Sequence, residues 1–190
     1  MKFGLKLAAA LVAGIALGLF ATWATVFRAA GPNALSDGPW QTSLATGSAR
    51  SDLYTRAKVA IHGLLALNRS ETIYYTAYAD SSGTPLDGAC AYDIVGHDPD
   101  ARWWSITAYG ADDFLIPNPV DRYSISKNSV LRGDDGSFSA TVGSAAHVQN
   151  WIPTARAPFS LTLRLYNPGT SVQSEPGTAA LPVIVKDSCS

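Results

Sequence analysis

The chain opens with an unbroken apolar stretch and then changes to short alternating runs. No charged residue lies between Leu7 and Phe27, where Ala, Gly and Leu dominate. As a helix this stretch would be roughly 32 Å long at 1.5 Å per residue, a match to a hydrocarbon core of about 30 Å. Trp23 lies near one end, where an interfacial aromatic is expected. Residues 31–47 are rich in Gly, Pro, Ser and Thr and read as a linker with turn chemistry. Over residues 48–68 the apolar positions fall at helical spacing. Leu53, Ala57, Ile61 and Leu64 share one face, with Arg50, Asp52, Arg56 and Lys58 mostly off it. Ser48 or Ser51 would cap the start. The charges imply a helix that packs on a sheet rather than one that enters a bilayer.

From Glu71 onward the pattern becomes short β-type runs separated by turn clusters. Residues 72–80 and 88–95 flank Ser81-Ser82-Gly83-Thr84-Pro85 and read as a hairpin. Further runs lie at 103–109, 123–126, 137–142, 159–166 and 181–185. The clearest period of two sets Phe159, Leu161, Leu163 and Leu165 on one face and Ser160, Thr162, Arg164 and Tyr166 on the other. Such a succession of short strands, with no helices between them, predicts a mainly β domain. Its expected form is an antiparallel sandwich or barrel with one packed α-helix, preceded by one transmembrane helix. The expected organisation is a cytoplasmic tip and anchor at 1–30, a linker at 31–47 and the β domain at 48–190.

Lys2 and Lys6 precede the apolar stretch and only Arg28 follows it closely. The positive-inside rule then places Met1 in the cytoplasm and the domain in the periplasm, held to the inner membrane by a single pass. A cleaved secretory signal is the competing reading, with Thr22-Trp23-Ala24 as a poor small-x-small site. Either reading exports the domain. Cys90 and Cys189 fit an oxidising compartment, where they are expected to pair; the alternative is two unpaired thiols. Closing a loop of about 100 residues stabilises by roughly 4–5 kcal/mol in the chain-entropy model. The formal net charge is −1 and the basic residues are scattered, which excludes a nucleic-acid-binding stripe. With 15% charged and 10% aromatic residues, the chain is not of disordered composition.

Six segments carry a resemblance to a known family. They are Tyr74-Tyr75-Thr76-Ala77, Pro85-Leu86-Asp87-Gly88, Trp103-Trp104-Ser105-Ile106-Thr107-Ala108-Tyr109, Asn118-Pro119 with Asp121-Arg122-Tyr123-Ser124, Asn150-Trp151-Ile152-Pro153, and Phe159-Ser160-Leu161-Thr162-Leu163-Arg164-Leu165-Tyr166. In this order they resemble the domain of unknown function DUF1214, which often forms the C-terminal part of longer proteins that begin with a DUF1254 domain. The resemblance runs from about Arg50 to Cys189. It implies a β-sandwich of jelly-roll type and no defined activity, and the chain looks like the short, membrane-anchored form.

Candidate sites come with structural alternatives. Arg122 would offer a planar fork to a carboxylate or phosphate, with Asn118 and Tyr123 as hydrogen-bonding neighbours. The alternative is a satisfied loop in which Asn118 caps a turn and Arg122 pairs with Asp121 or another acid. Trp103 and Trp104 are adjacent on a strand and must face opposite ways, so one belongs to the core. Trp104 and Trp151 are the candidate surfaces for stacking on a sugar ring, against simple packing. Arg164 is either a solvated residue or, if the helix covers its face, a buried charge that needs a partner. His62, His97 and His147 show no metal-ligand spacing, so no metal or cofactor is expected; Asp93, His97 and Asp98 are the residual possibility. Neither Gly-x-Ser-x-Gly nor a Walker loop occurs. The expected function is a non-catalytic binding or interaction module for a small polar or glycan ligand. A hydrolase or other enzyme acting on glycans or small polar molecules is one alternative, and an assembly role through an edge strand is another.

Overall fold

The apolar stretch forms one helix, α1 (Lys2–Phe27), whose Leu and Phe side chains are exposed along its length. It is long and apolar enough to cross a membrane. The chain is seen here as a computed structural model that describes residues 2–27, 34–48, 51–61, 67–145 and 149–189.

The remaining elements, in chain order, are β1 (Ala34–Asp37), β2 (Trp40–Ser43), α2 (Leu53–Ile61), β3 (Thr72–Ala77), β4 (Cys90–Gly96), β5 (Ala101–Gly110), β6 (Ser124–Ser126), β7 (Phe138–Gly143), β8 (Trp151–Pro153), β9 (Phe159–Pro168), α3 (Thr170–Ser174) and β10 (Val183–Cys189). They build a six-stranded sheet in the order β1-β2-β3-β9-β5-β6 and a four-stranded sheet in the order β10-β4-β7-β8. The mainly β, two-sheet fold expected from the strand pattern is therefore present. A helix packed on the core is present too, but it is α3, whose Val172 is buried in the common core, and not the helix expected over 48–68.

Alternation decides which side chains meet between the sheets. Ile73, Tyr75 and Ala77 of β3, Trp104, Ile106 and Ala108 of β5, and Leu161, Leu163 and Leu165 of β9 point inward from the larger sheet. Tyr92 and Ile94 of β4, Phe138, Ala140 and Val142 of β7, Ile152 and Ile184 come from the smaller one. Trp104 stacks on Phe138 with ring centroids 5.0 Å apart, and Tyr92 meets Phe159 edge to face at 5.8 Å. A fully buried aliphatic side chain here contributes about 1.5–3 kcal/mol relative to exposure.

Several sequence expectations change. Residues 31–47 are not a plain linker, because 34–43 form the β1–β2 hairpin. Gly38, at φ 55°, and Pro39 make its two-residue turn. Trp40 is fully buried there and its Nε1–H donates to the Pro182 carbonyl at 2.7 Å, so the hairpin belongs to the core. The expected hairpin of 72–80 with 88–95 does not form. β3 pairs with β9, β4 pairs with β7 and β10, and the intervening chain crosses from one sheet to the other. Pairing is antiparallel except between β7 and β8, which run parallel.

The helix expected over 48–68 is described only as α2. Asp52 caps it rather than Ser48 or Ser51, accepting from the Tyr54 and Thr55 N–H groups at 2.8 and 3.0 Å. Its expected apolar face is open, with Leu53 80% and Ile61 45% exposed and Thr55 its buried residue. Leu64 and His62 lie outside the described residues, as does His147.

Candidate functional site

The centre of the six-stranded sheet is β9, flanked by β3 and β5. Because its inward positions are Leu161, Leu163 and Leu165, its outward positions are Ser160, Thr162, Arg164 and Tyr166. Register sets their neighbours. Arg164 lies opposite Tyr74 on one side and Ser105 on the other, Thr162 between Thr76 and Thr107, and Tyr166 between Thr72 and Trp103. The outer face is thus a floor of hydroxyls, with Ser105, Thr107, Ser160 and Thr162 each under 10% exposed. Larger rings and one guanidinium stand above it.

Arg164 is half-buried in this frame. Its Nη1–H donates to Thr107 Oγ1 at 3.2 Å and its Nη2–H to Tyr109 Oη at 2.7 Å. Its Cζ lies 5.4 Å from the Tyr109 ring centroid and 6.0 Å from that of Tyr74, within cation–π range. Trp103 and Tyr166, both half-buried, sit with centroids 5.1 Å apart on the same face. Burial pushes the Tyr74 phenol above its ordinary value, while a hydrogen bond from the Leu67 backbone and the Arg164 charge pull the other way. Of the tryptophan pair it is therefore Trp103 that looks outward. Trp104 is fully buried, with Nε1–H donating to Asp98 at 3.1 Å, and has no face to offer a ligand.

The other candidates separate from this face. Asn118 works as a turn staple: its Nδ2 donates to the carbonyls of Ile116 and Arg122, and its Oδ1 accepts from the N–H groups of Val120 and Arg122. These bonds hold Asp121 at φ 49°, a left-handed conformation that Asp tolerates. Tyr123 donates to Asp121 at 3.2 Å, and that bond raises the phenol's pKa. Arg122 is exposed, and Asp121 bonds Tyr123 instead of it. Trp151 is 7% exposed and its Nε1–H closes onto the Gly143 carbonyl at 3.0 Å, a packing role between β7 and β8.

Asp93 accepts from Thr141, and Asp98 takes Arg132 at 2.7 Å. No cluster of three or more His, Cys, Asp or Glu occurs among the described residues. Cys90 and Cys189 are joined, as expected, across the β4–β10 pair. The partners of Arg164, namely Thr107, Tyr109 and Tyr74, are not legible in the sequence. The period-two alternation places Arg164 and Tyr166 together, but only the pairing of β9 with β3 and β5 brings in the other strands.

Comparison with known proteins agrees with this architecture. The family model described as "Protein of unknown function (DUF1214)" matches residues 71–170, more than half of the chain. The chain belongs to the DUF1214 family. The matched region runs from the start of β3 into α3 and contains β3, β5 and β9, the strands that surround Arg164, whereas β1, β2 and the Cys189 half of the disulfide lie outside it. No curated protein matches the chain. Among solved structures, the VPA0106 protein from Vibrio parahaemolyticus is similar, with a TM-score of 0.61 and 25% identity over 73% of this chain and 36% of that one. An uncharacterised protein from Burkholderia cenocepacia gives a TM-score of 0.49 and 14% identity over 89% of this chain and 39% of that one. This DUF1214 chain therefore spans little more than a third of either structure.

Proposed function

We propose that this DUF1214 protein is a single-pass inner-membrane protein. In this reading its β domain stands in the periplasm and binds a small polar or glycan ligand without performing chemistry on it. The outer face of the six-stranded sheet is the binding surface. The observation that carries the reading is the combination on that face of half-buried rings, Trp103 and Tyr166, with the polar trio Thr107, Tyr109 and Arg164. Rings provide area for stacking at low conformational cost, and fixed hydroxyls provide orientation, the two requirements of sugar-like recognition. Support for the location comes from the length and apolarity of α1, the Lys2 and Lys6 charges in its first turns, and the Cys90–Cys189 bond.

Two measurements test this. Alkaline phosphatase fused after Ser190 is expected to be active, and a fusion active only as a cytoplasmic reporter overturns the orientation. A panel of mono- and disaccharides titrated into the full chain in micelles is expected to perturb resonances of Trp103, Tyr109 and Tyr166. Binding that survives the double substitution Trp103→Ala and Tyr166→Ala unchanged would place the surface elsewhere.

A further inference from the structure

Around Arg164 the outer face is rich in donors, and its acceptors are neutral hydroxyls rather than carboxylates. A guanidinium carries five N–H donors. Two are directed at the Thr107 and Tyr109 hydroxyls, which leaves three. Each of those hydroxyls accepts from Arg164 and keeps its own O–H to donate. The partners are all neutral. No acidic side chain pairs with Arg164 among the described residues, and β3, β5, β6 and β9 contain no Asp or Glu.

The contrast with Arg132 is instructive, because that arginine is also partly exposed and does have its acid, Asp98, at 2.7 Å. A half-buried cation normally gains a counter-charge, since partial desolvation weakens its hydration without replacing it. At Arg164 the rings of Tyr74 and Tyr109 supply part of that compensation through their π faces. They also fix the guanidinium plane. A preformed fork with spare donors, no internal acceptor of charge and adjacent O–H groups lacks one chemical partner, an oxyanion.

We propose that the ligand of this face carries an oxyanion, a carboxylate or a phosphate on a ring-bearing polar molecule, and that Arg164 is its receptor with Thr107 and Tyr109 as flanking donors. This deepens, and rests on, the reading of the face as the binding surface. Trp103 and Tyr166 would lie against the body of the ligand, because Tyr166 is two residues along β9 from Arg164, roughly 7 Å away on the same face.

The test uses the full chain, labelled with ¹⁵N-arginine, in micelles. The probes are D-glucose, D-glucuronate and D-glucose 6-phosphate, titrated at matched ionic strength. The expected result is a saturable shift of the Arg164 Nε–H with at least one of the two anions, at an affinity about tenfold or more above that for glucose. The stronger of the two tells a carboxylate site from a phosphate site. Arg164→Gln is expected to bring the anion down to the affinity of glucose. Arg164→Lys, which keeps the charge without the fork, is expected to recover only part of it.

Should Arg164→Gln fail to fold, Arg164→Lys and Tyr109→Phe carry the comparison instead, both expected to weaken the anion more than glucose. If glucose binds the face as tightly as both anions, the oxyanion proposal fails while the binding surface stands. If none of the three probes shifts Arg164, Trp103 or Tyr166, both fail. If the anions bind but the arginine variants leave their affinity unchanged, Arg164 is not the receptor.

Discussion

The two sheets contribute to one core and differ in what they do with everything else. The six-stranded sheet turns a long central strand, flanked on both sides, into a surface where Tyr109 and Tyr74 hold Arg164 and Trp103 packs on Tyr166. The four-stranded sheet has a plainer outer face, with Val95, Val183 and Val185 exposed, and places its special contacts at its boundaries. Its edge strand β10 is tied to β4 by the disulfide. It is also docked on the turn after β3, where Ser81 N–H donates to the Ile184 carbonyl and Ser81 Oγ accepts from the Ile184 N–H. At the other edge Asn150 bridges to β7 and to the chain before it, donating to the Ser139 and Leu131 carbonyls and accepting from the Leu131 N–H. A residue at the centre of a sheet has neighbours on two sides to fix its rotamer, so chemistry can be built there. A residue at an edge has one, so its polar contacts serve to close the sheet.

This contrast implies a set of dissociable effects. The largest belongs to the core that both sheets share. Trp104→Ala should cost about 3–5 kcal/mol, because it empties a fully buried site stacked on Phe138. Trp103→Ala, next to it but half-buried on the outer face, should cost less than about 1 kcal/mol and act on binding instead. Denaturant titration of both variants checks the pair, and similar losses would erase the distinction between the faces. Next comes the staple of the smaller sheet. Replacing Cys90 and Cys189 by Ser should cost about 2–5 kcal/mol, with faster amide exchange in β10 and no change at Arg164.

The opposite edge should respond less. Asn150→Ala removes three hydrogen bonds and leaves a side chain less tolerant of the residue's φ of 42°. A loss of about 1–3 kcal/mol is expected, read by the same titration. The smallest effect is a pH dependence at the turn that docks β10. Burial alone would raise the Asp80 carboxyl, but the Ser82 hydroxyl, the Thr84 and Ser82 N–H groups and the Lys186 charge outweigh it and hold it below the ordinary 3.8. A lowered folded-state pKa contributes stability above the ordinary aspartate range, and that contribution is lost as pH falls through the folded value. The native chain is therefore expected to lose stability on the acid side of pH 4, and Asp80→Asn to flatten that decline. A variant with an unchanged acid limb would remove Asp80 from the edge's account.

Legibility followed the range of the physics. The alternation of Phe159 to Tyr166 carried the correct inward and outward faces of β9, since period two is a property of the strand itself. The Trp103–Trp104 rule correctly assigned the two rings to opposite faces, yet nothing local says which face is the core, and Trp104 turned out to be the buried one. The cluster at Asn118, Arg122 and Tyr123 is conspicuous in the sequence because its polar residues are close together. Asn118 is occupied by its own turn, while Arg122 is left exposed without a frame. The denser polar cluster around Arg164 draws on residues 55 and 57 positions away and was invisible for that reason.

By itself the sequence determined the apolar span of α1, the β character of the domain, the in-and-out pattern of its clearest strand and the family. All of these are read from composition, short periods or ordered motifs. Only the tertiary structure decided that residues 34–43 join a sheet, that β3 and β4 part company, that β7 and β8 run parallel, and that Arg164 meets Tyr109. Those outcomes depend on which distant strands pair. Pairing is selected by burying both sheets' apolar faces at once, a cooperative condition that no local window of residues contains.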